Sequence, residues 1–183
     1  MIEVINNLDI NILNFIRENL SNPIIDKLMV FITTLGDKGF IWIAIGIILL
    51  AQKKYRKVGF VLLIALLINL IIGEGVLKNV IQRPRVFTTY PNINIIINPP
   101  ESYSFPSGHT ASSFAAATVL GYYFKRYRYA FYAIAALIAF SRLYLFVHYP
   151  SDIIAGILLG IVCALLTIKV IESKKVCKDN SKV

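Results

Sequence analysis

Three short stretches concentrate the residues that could do chemistry. In Ser141-Arg142-Leu143-Tyr144-Leu145-Phe146-Val147-His148-Tyr149-Pro150-Ser151-Asp152, an arginine, a histidine and an aspartate sit between two apolar runs. Ionisable groups at membrane depth are costly and usually serve a function. His148 and Asp152 are four residues apart, so a helix starting near Pro150 would stack one above the other, as when a carboxylate orients an imidazole. A buried Arg142–Asp152 ion pair is the structural alternative. In Phe105-Pro106-Ser107-Gly108-His109, Ser107 suits a helix N-cap, and Gly108 permits close approach of a ligand. Free N–H groups at such a helix start favour phosphate. In Lys78-Asn79-Val80-Ile81-Gln82-Arg83-Pro84-Arg85, cations close the longest apolar run. Alone they also read as interfacial anchors, and Glu74, four residues before Lys78, offers an ion pair.

Combined, the stretches supply what phosphoryl transfer needs. Lys78, Arg85 and Arg142 can neutralise three non-bridging oxygens, with bidentate hydrogen bonds from the arginines. The helix start at Ser107-Gly108 adds donors. One histidine can attack phosphorus while the other protonates the leaving oxygen, and Asp152 would hold the attacking imidazole in its tautomer. The chain's two histidines, His109 and His148, both fall at helix ends beside arginines or a phosphate-type turn.

The elements that must position these groups are membrane helices. Of 183 residues, 57% are hydrophobic and 16% charged, with a mean hydropathy of +0.67. Soluble domains carry about 25% charged residues. Five apolar runs are expected to span: Phe40–Gln52, Val58–Lys78, Thr110–Phe124, Tyr129–Val147 and Ile153–Ile171. Residues 1–37 are amphipathic. Ile12, Phe15, Ile16 and Leu20 recur at helical spacing after a cap at Asn7 or Asp9, and a second helix runs from Asn22-Pro23 to Gly36. They read as an interfacial helical hairpin, with a short span over 22–36 as the alternative. The expected fold is therefore an all-α polytopic bundle of about five spans, or six if the hairpin inserts. Its parts are the hairpin (1–37), a transmembrane domain (38–172) with a long loop at 79–106, and a basic tail (173–183). The loop's Ile93-Asn94-Ile95-Ile96-Ile97 patch reads as packing over the bundle.

The net charge of +9 reports topology. Twelve of the 19 Lys and Arg residues lie at Lys53–Lys57, Lys125–Arg128 and Lys169–Lys182, the ends of apolar runs, which places those ends in the cytoplasm. The three chemical stretches then lie together on the extracytoplasmic side. No basic patch is interleaved with aromatics on a soluble surface, so no nucleic-acid partner is expected. No cleavable signal peptide is expected either. Cys163 and Cys177 are too differently placed for a disulfide and lack metal-ligand neighbours.

These stretches resemble the signature of the type 2 phosphatidic acid phosphatase family of integral-membrane lipid phosphatases. Lys78 and Arg85 match its first motif, Pro106-Ser107-Gly108-His109 its second, and Ser141-Arg142, His148 and Asp152 its third. The layout matches over residues 36–170. Val86 departs from the pattern, standing where the family has proline. Arg83-Pro84 imitates the first motif two residues early, but its spacing from Lys78 fails. The resemblance implies His148 as nucleophile, forming a phosphohistidine, His109 as general acid and Asp152 as partner of His148. Lys78, Arg85, Ser107, Gly108 and Arg142 would bind phosphate. It implies no metal or other cofactor, which suits a cluster of cations that would repel a divalent ion.

A site at the outer face between spans suits a lipid phosphate. The chain resembles short bacterial members that hydrolyse undecaprenyl diphosphate, so that lipid is the expected substrate, with phosphatidylglycerol phosphate or phosphatidic acid as the alternative. A non-catalytic lipid-binding or transport protein is the rival class, disfavoured because neither histidine nor the aspartate is missing. A soluble vanadate-dependent peroxidase shares the site pattern but not the spans. A neutral nucleophile and a protonated acid imply a bell-shaped rate around neutrality.

Overall fold

The computed structural model describes residues 2–91 and 95–180, with side chains described for 3–91 and 95–173. Within these the chain is all-helical, with no strand. Ile93, Asn94 and the side chains of the basic tail from Lys174 onward lie outside the described residues.

Helix α1 (Ile2–Leu20) starts before the expected cap, so Asp9 lies inside it, only 3% exposed. Its carboxylate is committed elsewhere, as described below. Of the spaced apolar residues, Ile16 is buried with Leu13, whereas Ile12 and Phe15 face outward. Helix α2 (Pro23–Leu35) follows the local signals closely. Asn22 Oδ1 accepts from the Ile24 N–H at 2.8 Å, Pro23 opens the helix, and Gly36 ends it. A 3₁₀ turn at Asp37–Gly39 leads into α3 (Phe40–Ala51), with Lys38 and Gly39 in the left-handed region.

The long run forms α4 (Arg56–Leu70), a π-helical stretch at Ile71–Leu77 and the short α5 (Lys78–Ile81). A π turn inserts extra residues and shifts the phase of everything after it, and such turns recur at functional sites. Here the shift precedes Lys78. After α6 (Val86–Thr89) and an irregular segment come α7 (Gly108–Tyr123), α8 (Arg128–Tyr144) and α9 (Pro150–Asn180).

Helix α7 is the central element, packed against α4, α8 and α9. Its Ala111, Ala115, Ala116 and Ala117 are buried, and Gly160 of α9 sits so close to the Ala111 carbonyl that any side chain there would collide with α7 backbone. Small residues are what allow helices to approach this closely in a membrane protein. Trp42 of α3 is buried, and its Nε1–H donates to Ser113 Oγ of α7 at 2.9 Å.

By length and composition, the stretches Arg56–Thr89 and Pro150–Ser173 can each cross a membrane. A third crossing results if α2 and the segment Asp37–Ala51, bent by 41°, form one span. Helix α9 turns an outward stripe of Ile154, Leu158, Val162, Leu165 and Leu166 to its surroundings, as a lipid-facing helix does.

Candidate active site

The site forms where the loop between α8 and α9, the start of α7, α5 and the 102–107 segment converge. Phe146 adopts φ +57, a costly conformation for a bulky residue. It turns the chain after α8, and Phe146 packs on Leu13, Val86 and Tyr149. His148 follows, fully buried at 1% exposure. It is not on α9. Pro150 is that helix's first residue, and Asp152 Oδ2 reaches back to accept the Tyr149 N–H at 2.9 Å. This is the reciprocal half of a capping box, where a side chain in the first turn satisfies the N-cap N–H. The stacking of His148 above Asp152 on one helix face is thus corrected. The pair meets because the aspartate caps the helix and the histidine lies just upstream.

His148 Nδ1 is 3.5 Å from Asp152 Oδ2 and 3.4 Å from Ser104 Oγ. On the other edge of the ring, Nε2 lies 3.3 Å from Arg85 Nη1. Burial pushes the imidazole down to about 3, with Arg85 and Arg142 adding to the effect and Asp152 opposing it. The ring is therefore neutral across the ordinary pH range.

Asp152 is wholly buried and saturated with donors. Besides the Tyr149 N–H, it accepts from Ser104 Oγ–H at Oδ2 and from Arg83 Nη1 at Oδ1, the latter at 2.7 Å. Arg142 is not its ion-pair partner. Arg83 takes that place and also bonds Ser151 and, through Nη2, Asp9 Oδ2 at 2.9 Å, while its guanidinium lies 3.8 Å over the Tyr149 ring. Arg83, set aside on spacing, thus stands behind the carboxylate. Asp9 in turn accepts from the Ser151 N–H at 2.9 Å, which ties α1 to the first turn of α9.

Arg85 is held from three sides. Nε donates to Ser102 O at 2.6 Å, Nη1 to Val147 O at 2.8 Å, and Nη2 to Ser102 Oγ at 3.1 Å. Lys78, 5% exposed, donates to the same Ser102 Oγ at 3.1 Å. Its Nζ also pairs with Glu74 Oε1 at 2.8 Å, so the expected ion pair and the cationic cluster coexist. Val86 follows Arg85 as the first residue of α6 and is completely buried. That position suits proline, which lacks the N–H that would be an orphan there anyway. Valine fits the same place and fills the core behind it.

Arg142 is 2% exposed. Nη1 donates to Thr33 Oγ1 of α2, while its buried Nε donates to no described residue. Its charge acts on both histidines. His109, in the first turn of α7, pairs through Nε2 with Asp37 Oδ1 at 2.8 Å. Ser107 occupies the N-cap position of α7, but its side chain does not cap. Its Oγ accepts from Thr110 Oγ1 at 3.0 Å, and its N–H donates to Asp152 O at 3.2 Å. Gly108 faces Glu74 so closely that a Cβ would run into the carboxylate.

These contacts join Lys78, Arg85, His148 and Asp152 into one connected cluster, with Ser107 bound to it through backbone. Gly108 touches it through Glu74, and Arg142 and His109 are coupled to it electrostatically. Sequence reasoning missed Ser102, Ser104, Asp37, Thr33 and Asp9. The two serines carried a faint signal, alternating just ahead of Pro106. Asp37 and Thr33 carried none, being more than 70 residues from their partners.

A family model described as the PAP2 superfamily matches residues 54–175. An undecaprenyl-diphosphatase of Sulfolobus acidocaldarius is 34% identical over 148 residues, which cover 80% of this chain and 70% of the relative. The crystal structure of Aquifex aeolicus LpxE superposes with a TM-score of 0.78 at 29% identity, covering 88% of this chain and 95% of that one. A transmembrane PAP2 type phosphatidylglycerolphosphate phosphatase from Bacillus subtilis gives 0.75 at 25% identity, covering 93% and 87%.

Proposed function

Because the chain belongs to the PAP2 superfamily and is a membrane-embedded lipid phosphatase, we propose that His148 is its nucleophile, His109 its general acid and Asp152 the orienter of His148. The observation that carries this reading is the asymmetry around the His148 ring. Nδ1 faces Asp152 and Ser104, which hold its proton, and Nε2 faces Arg85, where an anionic phosphoryl group would sit.

Lys78, Arg85 and Arg142 bind the three non-bridging oxygens, joined by Ser107 and the Gly108 N–H at the start of α7. The Nε of Arg142, which has no acceptor among the described residues, supports this, since a buried guanidinium donor without an acceptor is costly and a phosphate oxygen would satisfy it. The Nε2 lone pair forms a bond to phosphorus, the bond to the leaving oxygen breaks, and His109 gives that oxygen its proton. In the second step His109 takes a proton from water. The resulting hydroxide attacks phosphorus, and the P–N bond breaks to release phosphate and neutral His148. No metal is required, because the charge that develops on the oxygens meets fixed cations.

The best-supported substrate is undecaprenyl diphosphate, cleaved to undecaprenyl phosphate. The five apolar runs cross the bilayer, residues 1–37 lie at its surface, and the site opens on the extracytoplasmic face. The basic Lys53–Lys57 and Lys125–Arg128 connections support that orientation, as both occupy the helix ends opposite the site. Phosphate release in detergent micelles should be fastest with undecaprenyl diphosphate, compared with phosphatidylglycerol phosphate and phosphatidic acid. No release from the polyprenyl lipid would assign the site to a glycerolipid. No release from any of the three would sink the phosphatase reading.

The burial of His148 also refines the pH profile. Its folded-state value near 3 means that acidification from pH 7 to 5 leaves the nucleophile neutral. Burial holds the His109 imidazole below its ordinary value, with Asp37 opposing, so His109 loses the proton it must donate already on the acid side of neutrality. The profile of kcat/KM should therefore be highest in mild acid and fall as pH rises through and above neutrality. An acid limb near 6.5 that disappears when substrate ionisation is allowed for would agree; one that persists would show His148 titrating as an ordinary imidazole.

A further inference from the structure

We propose that Ser104 is a positioning residue for the nucleophile, selecting the His148 tautomer by accepting its Nδ1 proton while donating its own to Asp152. The inference rests on His148 being the nucleophile, as proposed above. Ser104 is completely buried, and its hydroxyl lies between the two members of the pair. Its Oγ–H makes a short hydrogen bond to Asp152 Oδ2, and its oxygen lies 3.4 Å from His148 Nδ1. The direct His148–Asp152 separation is 3.5 Å, long for a hydrogen bond acting alone.

The serine proton decides the matter. Because it is committed to the carboxylate, only lone pairs of Oγ face the imidazole. A bare Nδ1 would set lone pair against lone pair, whereas Nδ1–H finds two acceptors. The proton is thereby kept on Nδ1 and the lone pair on Nε2, toward Arg85 and the phosphoryl site. When Nε2 bonds to phosphorus, the proton stays on Nδ1 and the positive charge that spreads over the ring meets Asp152, directly and through Ser104.

The backbone holds this serine in register. Ser104 N–H donates to Arg83 O at 2.8 Å, and the same arginine's guanidinium grips Asp152 Oδ1, which closes a loop around the carboxylate. Two residues earlier, Ser102 receives Lys78 and Arg85. One short stretch therefore spaces the nucleophile from the phosphate cradle.

The test is steady-state kinetics of Ser104→Ala with the most rapidly hydrolysed lipid of the panel above, alongside Ser104→Thr, Asp152→Asn and the Ser104→Ala/Asp152→Asn double variant. Ser104→Ala should lower kcat roughly 10- to 100-fold, the weight of one hydrogen bond within an ionic pair, with KM changed less than about twofold. Ser104→Thr should recover most of that loss. The double variant should be no slower than Asp152→Asn, because the relay is broken already. A kcat within about twofold of the parent, a loss carried by KM, or single losses that multiply in the double variant would each overturn the role of Ser104. If the alanine variant fails to fold, Ser104→Cys, of similar volume but a weak donor, carries the same comparison. Turnover retained by His148→Ala would instead overturn the nucleophile assignment.

Discussion

Replacing His148 by alanine is expected to lower turnover by about 10⁴- to 10⁶-fold, the range lost when a covalent hydrolase is deprived of its nucleophile. No other group can take over. His109 is turned to Asp37, and the Ser104 hydroxyl beside His148 is already engaged with Asp152. The fold should tolerate the change, since Asp152 keeps its bonds from Arg83, Tyr149 and Ser104. Phosphate release measured beside size-exclusion elution in detergent separates the two effects. An inactive, monodisperse protein is the expected result, and turnover within about a hundredfold of the parent would end the nucleophile assignment.

Asp152→Asn should cost both activity and stability. The carboxylate accepts at both oxygens, from Arg83 on one and from Ser104 and the Tyr149 N–H on the other. An amide offers one acceptor and one donor. Whichever way it turns, an N–H₂ group confronts a buried donor, at a cost of about 1–3 kcal/mol. With its acceptor weakened, the imidazole also loses the preference for Nδ1–H, and loss of an orienting carboxylate in a comparable triad lowers kcat about 10⁴-fold. We therefore expect a kcat fall of three to four orders of magnitude, roughly, and a lower thermal midpoint. His148→Ala should lose more activity and less stability. A kcat within about tenfold of the parent would remove Asp152 from the mechanism. An unchanged midpoint would show that the Arg83 contact carries no stability.

The relation between sequence and structure is clearest at three points. The spacing of His148 and Asp152 correctly announced a pair, but a helix face was the wrong reason. A capping aspartate brings the carboxylate back over the residues just before the helix, and the same four-residue interval results. At Lys78, hydropathy located the end of a long apolar run, yet the π-helical stretch that sets the lysine's direction depends on backbone hydrogen bonding that no periodicity records. At Arg83, spacing from Lys78 set it apart from the phosphate motif and could say nothing of its contacts. Its partners Asp9 and Asp152 lie 74 and 69 residues away, and only folding reveals them.

The sequence by itself determined the helical, membrane-embedded class, because apolar runs and basic ends are local properties that the bilayer reads directly. It also supplied the chemical stock of the proposed site: two histidines, one acid and the cations proposed to hold a phosphate, all carried within three short motifs. Tertiary structure alone decided the direction of each group. Ser102 came to hold Lys78 and Arg85, Ser104 to lie between His148 and Asp152, and Asp37 and Thr33 to partner His109 and Arg142. Those roles follow from burial, where every donor must find an acceptor across the fold and distance along the chain no longer counts.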